Sequence, residues 1–257
     1  MIKNYKIILE YDGTKYNGWQ KQGNTDNTIQ GKLEATLSRY FNQEIEIHGS
    51  GRTDAGVHAL GQRASFVLES GIPTDKVKLA ANNILAGGKN LASQVGDVRI
   101  LQVEEMPEDF HARFDSKGKK YRYIIDNGED QNIFRRKYCY QIQKPLDVDA
   151  MKEAAKHIVG THDFASFQSA GGQERETTVR TVFGLDVFRN GQDVVIEIAG
   201  DGFLYNMVRI ITGTLVEVGL GKRKAEDLVE IIKSVDRTKA GHKAPAEGLY
   251  LVEVYYE

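Results

Sequence analysis

Between residues 5 and 103 the apolar positions change period in the order strand, helix, strand, strand, helix, strand. This βαββαβ order is the ferredoxin-like pattern, and connection rules leave it few topologies. Tyr5 to Tyr11 alternates, with Ile7 and Leu9 on one face and Ile8 on the other. Thr28 opens a helix in which Ile29, Leu33, Leu37 and Tyr40 or Phe41 recur at helical spacing. Glu44 to His48 and Ala64 to Leu68 read as strands. A second helix follows Pro73-Thr74 with Val77, Ala80, Ala81, Ile84 and Leu85 facing in and Gly87 as its C-cap. Val95 to Val103 closes the half as a strand.

The second half repeats that order with additions. Lys119 to Ile125 is a strand, and Asp147 caps a helix carrying Val148, Met151, Ala154, Ala155, Ile158 and Val159, ended by Gly160. Val179 to Phe188 and Val194 to Ala199 form a hairpin about Asn190-Gly191. Helical patterns follow from Gly202 (Phe203, Met207, Ile210, Ile211, Leu215) and from Lys224 to Ser234, then a strand from Leu249 to Tyr256. The fold class is α+β in two ferredoxin-like halves, residues 1–106 and 107–257, joined at the acidic stretch Glu104 to Asp109 with Pro107.

The stretch that points to chemistry lies between the two central strands of the first half. Gly49-Ser50-Gly51-Arg52-Thr53-Asp54-Ala55-Gly56-Val57-His58 sets one carboxylate among glycines, which let a backbone turn sharply and approach a ligand. Taken alone, Asp54 suits either a turn cap made with its own side chain or an acid held out for reaction. A phosphate-binding loop is excluded, because no Gly-Lys-Ser/Thr follows and no helix starts there.

The rest of the chain limits the partners. Its net charge of −2 speaks against RNA unless charge is segregated, and it is: Arg113, Lys117, Lys119, Lys120 and Arg122 cluster, with Arg135-Arg136-Lys137 following. Such a run is either a solvated face or a phosphate track. In Lys119-Lys120-Tyr121-Arg122-Tyr123, Tyr121 and Tyr123 share one strand face and Lys120 and Arg122 the other. Those tyrosines are either core or a platform for a base. Arg209 interrupts an apolar helical pattern, so it reaches solvent or finds a partner. Neighbouring His162 and Asp163 seldom face each other and read as structural or RNA-contacting. No Cys/His cluster has metal-ligand spacing and no nucleotide-cofactor fingerprint occurs, so neither metal nor cofactor is expected. Cys139 is the one cysteine and no run is apolar enough to span a membrane, so a cytoplasmic protein with no membrane partner is expected.

Gly51-Arg52-Thr53-Asp54-Ala55-Gly56-Val57-His58-Ala59 resembles the signature of the tRNA pseudouridine synthase A family. The resemblance runs from Tyr11-Asp12-Gly13-Thr14 and Trp19-Gln20 through Gly160 to Phe167, Met207-Val208-Arg209 and Ala244 to Leu251. It implies a homodimer whose chains each carry two α+β domains, with sheets joined around a central basic cleft. It also implies conversion of uridine to pseudouridine at positions 38, 39 and 40 in the anticodon arm of tRNA, without metal or cofactor. By the same resemblance Asp54 is the catalytic carboxylate and Arg209 pairs with it. Tyr121 and Leu249 lie against the base. From its position Arg52 is expected to contact backbone phosphate or hold the extruded conformation, and from their charge Lys119 and Lys120 are expected to touch RNA. His58 is expected to be structural. Two other readings compete: a non-catalytic RNA-binding module, and a small-molecule enzyme using the acid as a general base.

Overall fold

The computed structural model describes residues 2–69, 71–87, 95–171 and 176–257. In chain order the first elements are β1 (Ile2–Tyr11), α1 (Ile29–Phe41), β2 (His48–Gly49), β3 (His58–Glu69), α2 (Thr74–Leu85) and β4 (Val98–Met106). Then come β5 (Gly118–Asp126), β6 (Tyr140–Gln141), α3 (Val148–Lys156), β7 (Gly160–Asp163), β8 (Val179–Asn190) and β9 (Asp193–Gly200). The last are α4 (Met207–Gly219), α5 (Asp227–Ser234) and β10 (Leu249–Tyr255). The fold is α+β, and the chain divides into two compact units, Met1–Lys117 with Leu251–Glu257 and Gly118–Tyr250.

In the first unit the strand order is β4-β1-β3-β10. Strand β1 runs antiparallel to both β3 and β4, with Tyr5 opposite Phe66 and a bulge between Leu9 and Tyr11. Tyr5, Ile7 and Leu9 are fully buried, and Tyr5 stacks on Phe66 at 5.5 Å. Helix α1 starts where Thr28 accepts a hydrogen bond from the Gly31 amide and buries Ile29, Leu33 and Leu37. Helix α2 buries Val77, Ala81 and Leu85, spaced four residues apart, and Gly87 follows at φ +106°.

In the second unit the order is β5-β9-β8-β7, with β6 parallel beside β5. Strands β8 and β9 form the expected hairpin, with Gly191 at φ +60° in its turn. Asp147 caps α3 by accepting from the Ala150 amide. Every residue of α4 except Glu217 is buried, which makes it the central helix of this unit.

Three expectations need correction. Of the strand expected over residues 44–48 only His48 pairs, with Ser65, because side chains of α1 take the place of a neighbouring strand. Ile45 donates its amide to Ser38 Oγ and Ile47 to Glu34 Oε1, while Gln30 Nε2 donates to the Ile47 carbonyl. Val95 is exposed, and β4 runs later, through Glu104 and Glu105, whose carboxylates pair across the sheet with Lys6 at 2.6 Å and Lys3 at 2.7 Å. The acidic stretch is therefore sheet surface at its start, and the first unit continues past residue 106 to Lys117, whose amide donates to the Tyr255 carbonyl.

Candidate active site

Asp54 stands on the loop between β2 and β3, half-buried, between exposed Arg52 and Ala55 and beside buried Thr53. Buried polar groups pin the backbone around it. Thr53 Oγ1 lies 2.8 Å from the Tyr11 hydroxyl, and the Thr53 carbonyl accepts the Trp19 amide at 3.0 Å. Gln62 Nε2 donates to the Gly51 carbonyl at 2.8 Å, and Gln62 Oε1 accepts from Ser50 Oγ at 2.8 Å. The Val57 amide closes the turn on the Asp54 carbonyl at 3.1 Å. Burial pushes the Tyr11 phenol far above its ordinary range, so this hydroxyl keeps its proton at physiological pH.

The glycines answer to this packing. A side chain at Gly49 would enter the Trp19 indole, and one at Gly13 would strike the Val57 carbonyl. Gly18, at φ +92°, lets the chain turn against Thr53. His58 is 2% exposed and accepts the Gly13 amide on Nδ1 at 3.1 Å, with Asp12 Oδ1 3.3 Å from the same nitrogen. His58 thus anchors the segment that packs on the Asp54 loop.

The second unit holds the other expected residues. Tyr121 and Tyr123 face the core of β5, opposite Ile198 and Ile196, and Tyr121 meets Phe203 edge-on at 5.3 Å. Lys120 and Arg122 lie on the opposite face, both paired with Glu197 at 2.5 Å. Burial works to raise the Glu197 carboxyl, but the hydrogen bonds from Lys120 and Arg122 outweigh it and hold it below the usual range. Lys119, half-buried and opposite Gly200, lies on the tyrosine side of β5. Leu249 is buried at the start of β10. Arg135, in the second basic run, forms a two-point ion pair with Asp193 at 2.7 and 2.8 Å, so it braces the fold.

Arg209 lies on the first turn of α4 and is 9% exposed. Its Nε donates to the Ala244 carbonyl at 2.8 Å and its Nη1 to Asn206 Oδ1 at 3.0 Å. The Ala244 amide returns a bond to the Arg209 carbonyl. The crossing segment approaches α4 so closely that Gly213 has no room for a Cβ against the His242 carbonyl. Tyr123 holds the same segment by donating its hydroxyl to the Pro245 carbonyl at 2.7 Å. Glu217 clamps its other end, accepting from Arg223 Nε and the His242 amide. Burial opposes ionisation of Glu217, yet those hydrogen bonds bring its carboxyl down to about 2.

Asp54 and Arg52 therefore belong to the first unit, and Tyr121, Arg209, Leu249, Lys119 and Lys120 to the second. Sequence reasoning missed the loop's supports, Tyr11, Ser50, Thr53 and Gln62, and the Glu217 clamp. Cys139 is buried and its thiol is pushed up to about 11 by burial, which removes it as a nucleophile. Among the described residues no group of His, Cys, Asp and Glu is placed to hold a metal ion, and no helix is long and apolar enough to cross a membrane.

A sequence profile described as tRNA pseudouridine synthase matches residues 7–115 and 154–257. The chain is 47% identical over 255 residues to tRNA pseudouridine synthase A of Acetivibrio thermocellus, covering 99% of this chain and 100% of that one. It is 49% identical over 255 residues to tRNA pseudouridine synthase A of Brevibacillus brevis, with the same coverage. Among solved structures, a chain in the crystal structure of a Cbf5-Nop10-Gar1 complex aligns with 96% of this chain and 48% of its own length, at 13% identity and a TM-score of 0.39.

Proposed function

The chain belongs to the tRNA pseudouridine synthase family, and from this we propose that it converts uridine to pseudouridine at positions 38, 39 and 40 in the anticodon arm of tRNA, with Asp54 as its catalytic carboxylate. It is an isomerase. The reaction breaks the N1–C1′ bond, turns the uracil within the pocket and joins C5 to C1′. The proton lost from C5 balances the one gained at N1, so no outside group is consumed. A carboxylate suits both available routes, attack on C1′ or removal of the C2′ proton to give a glycal.

The observation that carries the reading is the Asp54 loop. Its backbone is fixed by Tyr11, Trp19 and Gln62, while the acid itself is half-exposed beside an exposed arginine. A reacting group must be held within a fraction of an ångström, and buried hydrogen bonds do that better than a free loop. The uridine must leave its stack before an acid can reach its sugar, and Arg52 serves to hold that extruded form. Tyr121 and Leu249 contact the base, Arg209 supplies the countercharge, and Lys119 and Lys120 contact the RNA backbone. The same reading makes the protein a cytoplasmic homodimer with two domains around a basic cleft.

The test is incubation of uridine-bearing tRNA with the parent protein and with Asp54→Asn, followed by mapping of pseudouridine. The parent should modify the anticodon arm, and the variant should bind tRNA but convert none. Binding without conversion by the parent would favour a non-catalytic RNA-binding module. Conversion by the variant near the parent rate would remove Asp54 from the chemistry.

A further inference from the structure

On the first unit, the segment between β4 and β5 carries a group of rings that the Asp54 site does not use. His48 stacks on His111 at 4.9 Å with 29° between planes, and His111 meets Phe114 at 4.3 Å with 35° between planes. Both ends of this ladder are open: Phe114 is 75% exposed, and His48 is exposed too. The Arg113 guanidinium lies 5.9 Å from the Phe114 ring centre.

A phenylalanine this exposed is set against the hydrophobic effect, yet its backbone is firmly built. Asn4 Nδ2 donates to the carbonyls of Pro107 and Phe110, the Ala112 amide donates to Ser65 Oγ, and the Tyr256 hydroxyl donates to the Ala112 carbonyl. The turn folds back on its own histidine, whose Nδ1 accepts the Arg113 amide at 3.1 Å. The His111 amide donates in turn to Asp115 Oδ2. Burial, and then the neighbouring His48, hold the His111 imidazole below its ordinary value, so the middle ring is neutral at physiological pH.

We propose that the His48–His111–Phe114 ladder is a stacking site for an unpaired base of the RNA substrate, which settles against the exposed Phe114 ring while Arg113, which lies over that ring, turns to the adjoining phosphate. The inference rests on tRNA being the substrate. Flat rings at these spacings continue naturally into a nucleobase, since every base offers a face to stack on. An arginine beside the outermost ring matches the charge that accompanies any nucleotide. Of the nearby acids, Asp115 accepts the His111 amide, and Glu46 lies 3.9 Å from His48 at the far end of the ladder.

The test compares tRNA binding and single-turnover conversion for Phe114→Ala, Phe114→Leu and Phe114→Tyr. Replacing a stacked ring should weaken binding roughly fivefold to a hundredfold in the alanine and leucine variants. The tyrosine variant, which keeps its ring, should bind within about twofold of the parent. Conversion at saturating tRNA should be unchanged in all three. Phe114→Ala should keep the parent's salt dependence, whereas Arg113→Gln should make it shallower by about one phosphate contact. Leucine binding as well as tyrosine, or alanine binding as well as the parent, would overturn the proposal. So would a fall in oligomer mass in Phe114→Ala, which would make the patch a subunit contact. Absence of conversion by the parent would instead strike the function assigned to the whole chain, and the order of tRNA affinities among the Phe114 variants would still decide the stacking site.

Discussion

The hydroxyl of Tyr11 is buried between two named groups, Thr53 Oγ1 at 2.8 Å and the Gln62 amide at 3.5 Å. Tyr11→Phe leaves both short of a partner at a cost of about 1–3 kcal/mol. In a chain of this size each kcal/mol lowers Tm by about 2–4 °C. Because Thr53 adjoins Asp54, the larger effect should fall on chemistry: a single-turnover rate at least about tenfold lower at saturating tRNA, with affinity unchanged. A normal rate at a lowered Tm would show that the network serves stability alone. That Asp54 stands on a loop leading into a strand was legible in the sequence, because glycines frame it and the β3 pattern follows it. Its supports were not, because a glutamine in a strand reads as solvent-facing until the face it occupies is known. The partner of Lys120 was hidden for a similar reason: Glu197 arrives on a strand far along the chain.

At the scale of elements, α4 and the segment crossing it behave as one piece. The segment touches Gly213, bonds Arg209 through Ala244 and is fastened by Glu217. The Glu217 carboxyl titrates near 2 in the folded protein against an ordinary 4.5, so its contribution is full above pH 4.5 and disappears as the pH falls toward 2. Glu217→Gln should therefore be less stable than the parent at neutral pH, and the gap should narrow across that acid window. Urea denaturation at a series of pH values would show it, and a gap that stayed constant would mean the clamp works without charge. The starts of α1 and α3 were read correctly because Thr28 and Asp147 are local signals, but α3 ends at Lys156, before Ile158 and Val159, and Gly160 opens β7. Residues 44–47 were not, because alternating apolar residues report burial, and α1 side chains satisfy their backbone where a strand was expected. The short β6 and β7 have too few residues to show a period.

For the whole molecule, the problem is a net charge of −2 on a protein whose substrate is a polyanion. Part of its positive charge is committed internally: Lys3 and Lys6 to β4, Arg135 to Asp193, Lys120 and Arg122 to Glu197. Glu197→Gln would release two cations on β5. If the RNA passes there, the variant should bind tRNA more tightly and lose affinity more steeply with added salt. An unchanged slope would place the RNA path elsewhere. The two-unit organisation was legible as a repeated element order, but its boundary was not, because Leu251–Glu257 return to the first unit after the whole of the second. That return has a consequence during synthesis. Segments fold as they leave the ribosome, earliest first, yet β3, which follows the Asp54 loop, has β10 as its sheet neighbour. A nascent chain that has finished β4 still lacks the strand that pairs with β3 on the side away from β1, so that edge of β3 stays open until β10 is translated. The Asp54 loop thus leads into a strand whose sheet neighbour is made last, and a prematurely terminated chain carries the signature residues without the strand that completes that sheet order.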